Sequence, residues 1–432
     1  MFELSALGSL VEKQQGGGTP PRNDPAFWNG DIPWASVKDF KDDQLELQAT
    51  EETITSLGLR SSTSSLIPPG TPMVCTRMAV GRCAVSELPT AINQDVRALY
   101  PKKGVNPRYL LRLVASLQGK AESLSVGSTV KGIRSSDFLA IKAHIAPENE
   151  QGVIAHILDT LDTHIHKTEA LIAKLEKVKE GLLHDLLTRG IDDNGRLRPS
   201  PEHAPELYKE SPLGLIPRQW EVKRLGGLID GIDAGWSPSC SDVVPKEGEW
   251  GVLKVSAIST GAYLPHKSKT LPEGLSPIKE IEVNSGDVIC VRANGVAELV
   301  GRTAYVFSTP RRLMLSDKTL RLRAGEGLDP LFLFLLMGSA STRKQIASFI
   351  SGSSGQKNLS QNQINSIQVK APSIEEQRRV AGALSSMASR IEKEKSARDS
   401  SATLKAGLMG DLLTGRVRVT PLLEKAQATS PA

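Results

Sequence analysis

The residues of this sequence that could perform chemistry do not assemble into a complete catalytic motif. Asn23-Asp-Pro-Ala-Phe27 comes close to the Asn/Asp-Pro-Pro-aromatic motif that holds a base for amino methylation, but it lacks the second proline, and we interpret it as a turn. The motifs His-Glu-x-x-His, Gly-x-Ser-x-Gly and Gly-x-x-x-x-Gly-Lys-Ser/Thr do not occur in the sequence. The sequence therefore predicts a chain without a catalytic site of its own. A nuclease site built from scattered carboxylates and a lysine stays open as an alternative.

Metal-binding residues are equally sparse in the sequence. The cysteines contain no Cys-x-x-Cys pair, so a zinc site is not expected, and we interpret them as small buried apolar residues in a reducing compartment. His164 and His166 lie off the apolar face of a predicted helix and are expected at the surface. We expect no bound metal and no cofactor on this chain. The cysteines are Cys75, Cys83, Cys240 and Cys290.

Arginine and lysine residues beside glycines or at strand ends are the best candidates for contacts with nucleic acid. Such side chains bind phosphates and the edges of guanine, whereas asparagine suits adenine. A solvated surface residue is the alternative interpretation for each of them. Duplex DNA is favoured over single strands, because only 4% of the residues are aromatic and could stack on bases. The candidates for DNA contact are Arg77, Arg82, Lys131, Arg134, Lys254, Arg292, Asn294, Arg302 and Lys357.

Two loops combine glycine, hydroxyl side chains and lysine. They are Gly127-Ser-Thr-Val-Lys131 and Gly352-Ser-Ser-Gly-Gln-Lys357. Backbone N–H groups, serine and lysine in such a loop suit phosphate oxygens, so both loops are expected to contact the DNA backbone.

The loops that carry these residues occur twice because the sequence contains a tandem duplication. Gly181-Leu-Leu-His-Asp-Leu-Leu-Thr-Arg189 matches Gly407-Leu-Met-Gly-Asp-Leu-Leu-Thr-Gly415, and further matches follow in the same order, with offsets that lie between 215 and 226. Cys75-Thr-Arg77 pairs with Cys290-Val-Arg292, and Gly81-Arg82 pairs with Gly301-Arg302. A period above 200 residues makes each copy a globular domain plus a connector.

The connector of each copy is a long helix with a heptad pattern. About 40 residues at a rise of 1.5 Å give a rod of roughly 60 Å. In the second copy, Ser373-Ile-Glu-Glu376 predicts a capping box, and Glu394, Arg398 and Ser401 make the middle of the seam polar. The apolar seams are Ile154, Leu158, Leu161, Ile165, Ile172, Leu175, Leu182 and Leu186 in the first helix, and Val380, Leu384, Met387, Ile391, Leu404, Leu408 and Leu412 in the second.

Seams of this length are best covered if the two helices pair as an antiparallel coiled coil. The alternative is that each helix packs only on its own globular domain. The predicted fold class is α+β, with two mixed α/β domains in tandem pseudo-repeat, joined by the two helices. The expected segments are a first domain at 1–146, a spacer helix at 147–190, an exposed linker at 191–214, a second domain at 215–371, a second spacer helix at 372–416 and a flexible tail at 417–432.

Composition places the chain among ordinary cytoplasmic proteins. It has 432 residues, 53 basic and 48 acidic, which gives a formal net charge of +5. A mild positive charge permits binding to nucleic acid without requiring it. The first residues carry no basic region followed by a long apolar run, so a secretory signal is not expected, and neither is a membrane partner.

Two similar domains on a rigid spacer suit a split DNA site, because the grooves of DNA repeat every 34–36 Å or so. At this point the chain resembles the specificity subunits of type I restriction-modification systems. The resemblance rests on Leu186-Leu-Thr-Arg-Gly-Ile-Asp-Asp-Asn-Gly-Arg196, Ile216-Pro-Arg-Gln-Trp-Glu-Val-Lys-Arg-Leu225, the two glycine–lysine loops and Pro372-Ser-Ile-Glu-Glu-Gln377, and it covers nearly the whole chain. The first copy departs from the second, since it has one residue fewer between Pro147 and Gln151.

This resemblance implies two target-recognition domains, each recognising one half of a bipartite site, and helices that set the gap and dock partners. It implies two methyltransferase subunits that bind S-adenosylmethionine, and motor-nuclease subunits that use ATP and magnesium where they are present. A coiled-coil scaffold without DNA binding remains the alternative from another class. The recognition sequence, the gap, the methylated base and the presence of a nuclease partner stay open.

Overall fold

The computed structural model describes residues 1–42, 44–127, 130–350, 357–422 and 424. Each copy of the repeat forms a mixed α/β domain followed by a long helix. The first copy consists of β1 (Glu3–Ala6), β2 (Val11–Gly16), β3 (Trp28–Ala35), β4 (Glu46–Leu47), β5 (Glu52–Ile54), α1 (Ser56–Arg60), β6 (Ser65–Ile67), β7 (Met73–Cys75), β8 (Cys83–Ser86), β9 (Thr90–Ile92), β10 (Val96–Pro101), α2 (Pro107–Ser116), α3 (Gln118–Ser123), α4 (Ser135–Leu139), β11 (Lys142–Ile145) and α5 (Glu148–Thr188).

The second copy follows a connecting segment and has a similar order of elements, with strands first, then short helices, a last strand and a long helix. It consists of β12 (Tyr208–Lys209), β13 (Ile216–Pro217), β14 (Glu221–Arg224), β15 (Ile229–Ala234), β16 (Gly251–Leu253), β17 (Ser268–Thr270), β18 (Val288–Val291), β19 (Ala293–Asn294), β20 (Thr303–Tyr305), β21 (Leu313–Met314), β22 (Thr319–Ala324), α6 (Pro330–Gly338), α7 (Ala340–Ile350), β23 (Lys357–Asn358), α8 (Gln361–Ser366), β24 (Gln368–Ala371) and α9 (Ile374–Leu412).

Sheet topology confirms the duplication. The main sheet of the first domain has the order β2-β10-β7-β8-β4, and that of the second has the order β15-β22-β18-β20. Neighbours among the first four strands of each sheet are antiparallel, and β4 joins β8 in parallel. A second sheet in each domain joins one parallel pair, β3 with β9 and β16 with β21. In each copy a strand at the start of the globular domain, β1 or β14, also pairs with the last strand before the long helix, β11 or β24.

The chain divides into two compact units that do not follow the expected domain boundaries. The first unit is 1–170 with 395–432, and the second is 171–394. Each unit therefore contains one domain, the first part of that domain's own helix and the last part of the other helix. This division arises because the helices pair along their length, so each helix end contributes to the core of a different domain.

Residue order within each unit makes the helix pairing antiparallel. In the first unit Leu412 shares a core with Ile154, whereas Lys405, earlier in α9, pairs with Asp162, later in α5. In the second unit Ile172 and Leu175 pack with Met387 and Ile391, while Leu186 and Leu187 share a core with Val380 and Leu384. Both alternatives for the seam thus hold in part: the ends of the helices pack on the domains, and the middle packs helix on helix.

Leu404 was expected in the seam, and that expectation is wrong. Its side chain is 53% exposed. Strict alternation of four and three from Ser401 leads to Lys405, whose side chain is only 14% exposed and reaches Asp162 Oδ1 at 2.6 Å. The polar stretch of the seam, expected at Glu394, Arg398 and Ser401, therefore continues for one more position, to Lys405. The other seam residues predicted from the sequence are buried or half-buried, whereas His164 and His166 are exposed.

The segment at 191–214 was expected to be an exposed linker, but it is docked on the second domain. Ile191, Arg198 and Tyr208 are buried, and the Tyr208 hydroxyl donates to the Pro199 carbonyl at 2.6 Å. The described part of the tail is docked as well, since Val419 is 2% exposed. Residues 425–432 lie outside the described residues.

Both docked segments complete the same structural motif, which we call the helix-end closure. After α5, Gly190 adopts a φ of +68°, and Arg198 and Trp220 donate hydrogen bonds to Glu376 in the first turn of α9. Glu376 also accepts from the Ile191 N–H at 2.8 Å. This closure joins the end of one helix to the start of the other through one buried carboxylate.

After α9, the first unit repeats the closure with different residues. Gly415 adopts a φ of +71°, Arg418 donates to Glu150 in the first turn of α5, and the Arg418 guanidinium lies 5.0 Å from the centre of the Phe2 ring. Glu150 and Gln151 thus correspond to Glu376 and Gln377, an offset of 226 residues. The residue by which the copies differ lies before this pair, so the helix register is the same in both.

Replacing Gly190 with alanine is expected to destabilise the second unit by about 1–3 kcal/mol. The positive φ disfavours any side chain, and a Cβ there would lie 2.1 Å from Glu376 Oε1 and 2.4 Å from Trp220 Cζ2. Gly181→Ala is the matched control, because a Cβ at that exposed helical position has nothing within 4 Å. The control should stabilise by about 0.5–1 kcal/mol. Calorimetric unfolding measures both, and equal transitions for the two variants would contradict the expectation.

The remaining sequence expectations on the fold concern the cysteines and the turn at residues 23–27. Cys75, Cys83 and Cys290 are buried free thiols, and burial raises the pKa of Cys83 and of Cys290 to about 12. Asp24 caps the short turn Pro25–Phe27 by accepting from the Ala26 N–H, which confirms the turn. Within the described residues, no helix has both the length and the apolar character needed to cross a membrane.

Candidate nucleic-acid interface

The chain that leaves β7 lies against the segment that follows the Gly127 loop. Met78 N–H donates to the Lys131 carbonyl at 2.8 Å, and Arg77 forms an antiparallel bridge with Gly132. Arg134 leaves the same segment at the start of α4. This pairing brings together three predicted contact residues from positions far apart in the sequence. We call Arg77, Lys131 and Arg134 basic patch 1.

Basic patch 1 is largely exposed. Lys131 and Arg134 are exposed, and neither forms an ion pair with another residue that the structure describes. Arg77 is 54% exposed and lies 3.4 Å from Asp95. The Asp95 side chain is only 12% exposed, but it also accepts a hydrogen bond from the Asn93 side-chain amide at 3.2 Å, so Arg77 is not its sole partner.

The second domain brings its candidates together at the equivalent place. β19 pairs with β23 so that Asn294 lies directly opposite Lys357, and Leu359 N–H donates to the Arg292 carbonyl at 2.9 Å. As in the first domain, the chain after Cys-x-Arg meets the lysine that ends the glycine loop. We call Arg292, Asn294 and Lys357 basic patch 2. The two patches share their topology, an arginine and a lysine, and differ in the third member, which is Arg134 in the first and Asn294 in the second.

A further arginine that the sequence did not single out lies beside basic patch 2. Arg343 on α7 lines one concave surface with Arg302 and Lys357. Its guanidinium donates to the carbonyls of Val300 and Glu298, both at 2.9 Å. Burial and the charge of Arg302 lower the pKa of Arg343, although it stays protonated at neutral pH. The local sequence around Arg343 does not predict a role in binding, because α7 lies beside Arg302 only in the folded domain.

Arg82, which corresponds to Arg302 in the first domain, is engaged differently. Its Nε donates to Asp42 Oδ1 at 2.8 Å, and a second N–H reaches the other oxygen of the same carboxylate. Hydrogen bonds from Gln118 and from Arg82 lower the pKa of Asp42, so this carboxylate stays charged. Because this bidentate pair with Asp42 occupies two of its N–H groups, Arg82 is less available to DNA than Arg302.

Two other predicted contact residues also have protein partners. Lys254 Nζ lies 2.7 Å from Asp242 Oδ1, after strand β16 and outside both patches. Asn294 Oδ1 accepts from the Val296 N–H at 3.0 Å. Bidentate recognition of adenine needs both the oxygen and the nitrogen of the amide. In this conformation one of the two lone pairs of Asn294 Oδ1 is already engaged, while its N–H groups and the other lone pair are available to a base.

The glycine–lysine loops themselves are described only at their ends. Residues 128–129 of the first loop and 351–356 of the second lie outside the described residues. The expected phosphate contacts of Ser128, Thr129 and the 352–356 segment therefore remain predictions. Lys131 and Lys357, at the ends of these loops, are the parts that the structure places in the patches.

The chain is therefore a tandemly duplicated two-domain protein. Each copy has the same mixed α/β topology, carries a basic patch at the same topological position and is followed by a long helix. The sequence model of the type I restriction modification DNA specificity domain matches residues 1–177 and again 217–398. The chain belongs to this family. Both matches include a domain and the first part of its helix.

Individual relatives are similar over parts of the chain. The specificity subunit of the type I restriction enzyme EcoEI of Escherichia coli is 33% identical over 181 residues, which cover 41% of this chain and 30% of that protein. The MjaIX specificity subunit of Methanocaldococcus jannaschii is 29% identical, over 50% of this chain and 48% of its own length. The chain thus spans less than half the length of these two relatives. The MjaVIII specificity subunit of the same organism is 25% identical and covers 73% of this chain and 70% of its own.

Solved structures show the same fold over almost the whole chain. The type I restriction-modification S subunit from M. genitalium gives a TM-score of 0.59 with 15% identity, and the match covers 95% of each chain. The HsdS subunit from Thermoanaerobacter tengcongensis gives 0.50 with 16% identity, covering 96% of this chain and 97% of the other. These similarities confirm the predicted fold class.

Proposed function

We propose that this chain is the DNA-sequence specificity subunit of a type I restriction-modification complex, in which each domain recognises one half of a bipartite duplex site. One observation carries the proposal: the two domains place a basic patch at the same position of the same topology, with a shared arginine and lysine but a different third side chain, Arg134 or Asn294. Equal placement suits two sites of one kind, and different side chains suit two different half-sites. Family membership supports the same conclusion.

In this proposal the long helices set the unread gap and dock the partner subunits. α5 contains 41 residues, a length of about 60 Å at 1.5 Å per residue. Such a helix exceeds one turn of DNA, so it is long enough to act as a spacer between two contacts with the duplex. The polar positions in the middle of the seam lower the apolar contact between the helices and suit a docking surface for other subunits.

The chemistry of the complex belongs to other subunits in this proposal. Two methyltransferase subunits would bind S-adenosylmethionine, and motor-nuclease subunits, where present, would use ATP and magnesium. This chain would supply recognition without catalysis, in the cytoplasm. A scaffold without DNA binding is the competing function, and it offers no account of two matched basic patches.

Methylation-site mapping in cells that carry the methyltransferase partner, with and without this chain, tests the proposal. A split motif of two short half-sites that depends on this chain would support it and would reveal the recognition sequence. An active partner without any split motif would overturn the specificity function and favour the scaffold.

Replacing Lys357 with alanine is expected to weaken duplex binding about equally for all sequences. A lysine that binds a phosphate releases about one counterion, so the slope of log affinity against log salt should fall in magnitude by about 1. Lys254→Ala is the matched control in the same domain, since Lys254 is engaged with Asp242. Fluorescence anisotropy at several salt concentrations measures both slopes. Equal slopes for the two variants would remove Lys357 from the interface.

A further inference from the structure

The junction between domain and helix differs chemically between the two units. In the first unit, α2 and α5 are joined by an ion-pair network: Arg112 Nε donates to Asp159 Oδ1 at 2.9 Å and Arg112 also pairs with Asp162. Arg108 reaches Asp159 Oδ2 at 2.9 Å. Lys405 of α9 completes the network at Asp162. The Arg112 side chain is 2% exposed, so this junction is closed.

The second unit carries apolar or small residues at the equivalent positions. The helix caps Asn106 and Asp329 align α2 with α6, and the Glu-Gln pairs at 150–151 and 376–377 align α5 with α9. By this alignment both arginines become leucine and both aspartates become uncharged, while the lysine is retained. The replacements are Arg108 by Leu331, Arg112 by Leu335, Asp159 by Ser385, Asp162 by Ala388 and Lys405 by Lys179.

These replacements leave an open, mainly apolar cavity of about 450 Å³ in the second unit. Leu331, Leu335, Ser385, Ala388 and Lys179 all line it. A cavity of this size and character is typical of a binding site rather than of a packing defect. The exposed side chain of Phe307, 67% accessible and in edge contact with Tyr305, extends the apolar surface at its mouth.

The charge pattern indicates what would fill the cavity. In the first unit the lysine meets a buried carboxylate, whereas in the second Ala388 stands opposite Lys179, which forms no ion pair with a described residue. Glu392 is exposed on the same rim. A carboxylate supplied to Lys179 would restore the lysine–carboxylate pair of the first unit, and apolar side chains of the same occupant would cover the leucines that replace its arginines.

We propose that this cavity docks a segment of one methyltransferase subunit that presents large apolar side chains and one acidic residue. The inference rests on the proposed function and deepens it. The two domain–helix junctions differ, so the two methyltransferase subunits contact this chain unequally. Only the subunit at the second unit inserts a segment into the chain.

The experiment compares the full chain with two variants by native mass spectrometry and titration of the methyltransferase subunit. Lys179→Glu should weaken the binding of one of the two subunits by about tenfold or more, because it opposes the acidic group. Lys177→Glu is the matched control on an exposed neighbouring position of α5, and it should bind both subunits as the wild type does. A second variant, Leu335→Arg with Ala388→Asp, fills the cavity with the residues of the first unit and should reduce occupancy to one subunit.

Unchanged binding of both subunits to both cavity variants would overturn the inference. A wild-type chain that binds no methyltransferase would overturn it as well. Duplex binding of the same preparations, measured separately, tests the DNA-binding part of the proposed function independently of either result. A variant that binds DNA normally yet loses one methyltransferase subunit supports both proposals together.

Discussion

Replacing Glu376 with alanine is expected to lower the stability of the second unit by about 3–5 kcal/mol. The carboxylate is 4% exposed and accepts hydrogen bonds from Arg198, the Trp220 indole and the Ile191 N–H. Without it, a guanidinium only 7% exposed loses its counter-charge, and two further donors lose their acceptor. Calorimetry or urea unfolding monitored by tryptophan fluorescence measures the loss.

Two neighbouring substitutions calibrate this result. Glu375→Ala removes a fully exposed carboxylate from the same helical turn and should leave the unfolding transition close to that of the wild type. Glu150→Ala removes the equivalent carboxylate of the first unit, but its partner Arg418 is 48% exposed and water can solvate it, so the cost should be smaller than for Glu376. Equal losses for Glu375→Ala and Glu376→Ala would refute the structural role of the helix-end closure.

The helix-end closure explains why a duplicated chain forms these two units. Each long helix ends at a glycine, and the chain then delivers an arginine to a glutamate at the start of the other helix. A carboxylate near a helix N-terminus is also favoured by the helix dipole. The closure thus fixes the antiparallel register at both ends with charged, geometry-specific contacts, whereas the polar middle of the seam contributes little apolar packing.

The repeat and the helical periodicity were the parts of the fold that the sequence predicted well. The matches from Cys75 and Cys290 to Gly181 and Gly407 marked equivalent strands and helices, because duplicated sequences fold in duplicated ways. A heptad pattern also identifies the buried face of a helix directly from local spacing. The seam failed only at Leu404, where an apolar residue beside the seam concealed the lysine that occupies it.

Contacts between distant segments could not be predicted from local patterns. The segment that contains Arg198 looked like a linker because its prolines and charges resemble one, and only Glu376, 178 residues away in sequence, makes it part of a core. Arg343 likewise joins basic patch 2 only through the packing of α7. The pairing of Glu150-Gln151 with Glu376-Gln377 was the one available signal, and its offset of 226 residues equals that of the helix ends.

The same reasoning separates the candidate DNA contacts. Arg82 and Arg302 occupy equivalent positions beside a glycine, so the sequence treats them alike. The structure gives Arg82 a carboxylate and gives Arg302 a second arginine as neighbour. Position in the repeat therefore predicts where a side chain lies, whereas its partners decide whether it is available to DNA.

The ion-pair network of the first unit supplies the second large prediction. Asp162→Ala should destabilise that unit by about 1–3 kcal/mol, because Arg112, 2% exposed, loses one of its two carboxylates and Lys405, 14% exposed, loses its only carboxylate among the described residues. Replacing the whole network with the residues of the second unit, as Arg108→Leu, Arg112→Leu, Asp159→Ser and Asp162→Ala together, should cost less than Asp162→Ala alone. Unfolding of the two variants by calorimetry measures the difference.

This reversal is expected because the buried arginine is the costly group once its partner is lost. Removing it together with both aspartates eliminates the uncompensated charge, and the remaining lysine has an equivalent in the second unit, where Lys179 is half-buried beside Ala388. The coupling between the four positions should therefore exceed about 2 kcal/mol, within the range found for residues of one network. If the fourfold variant instead loses as much as the sum of the single substitutions, the two junctions are not interchangeable, and the cavity of the second unit depends on more than the replaced charges.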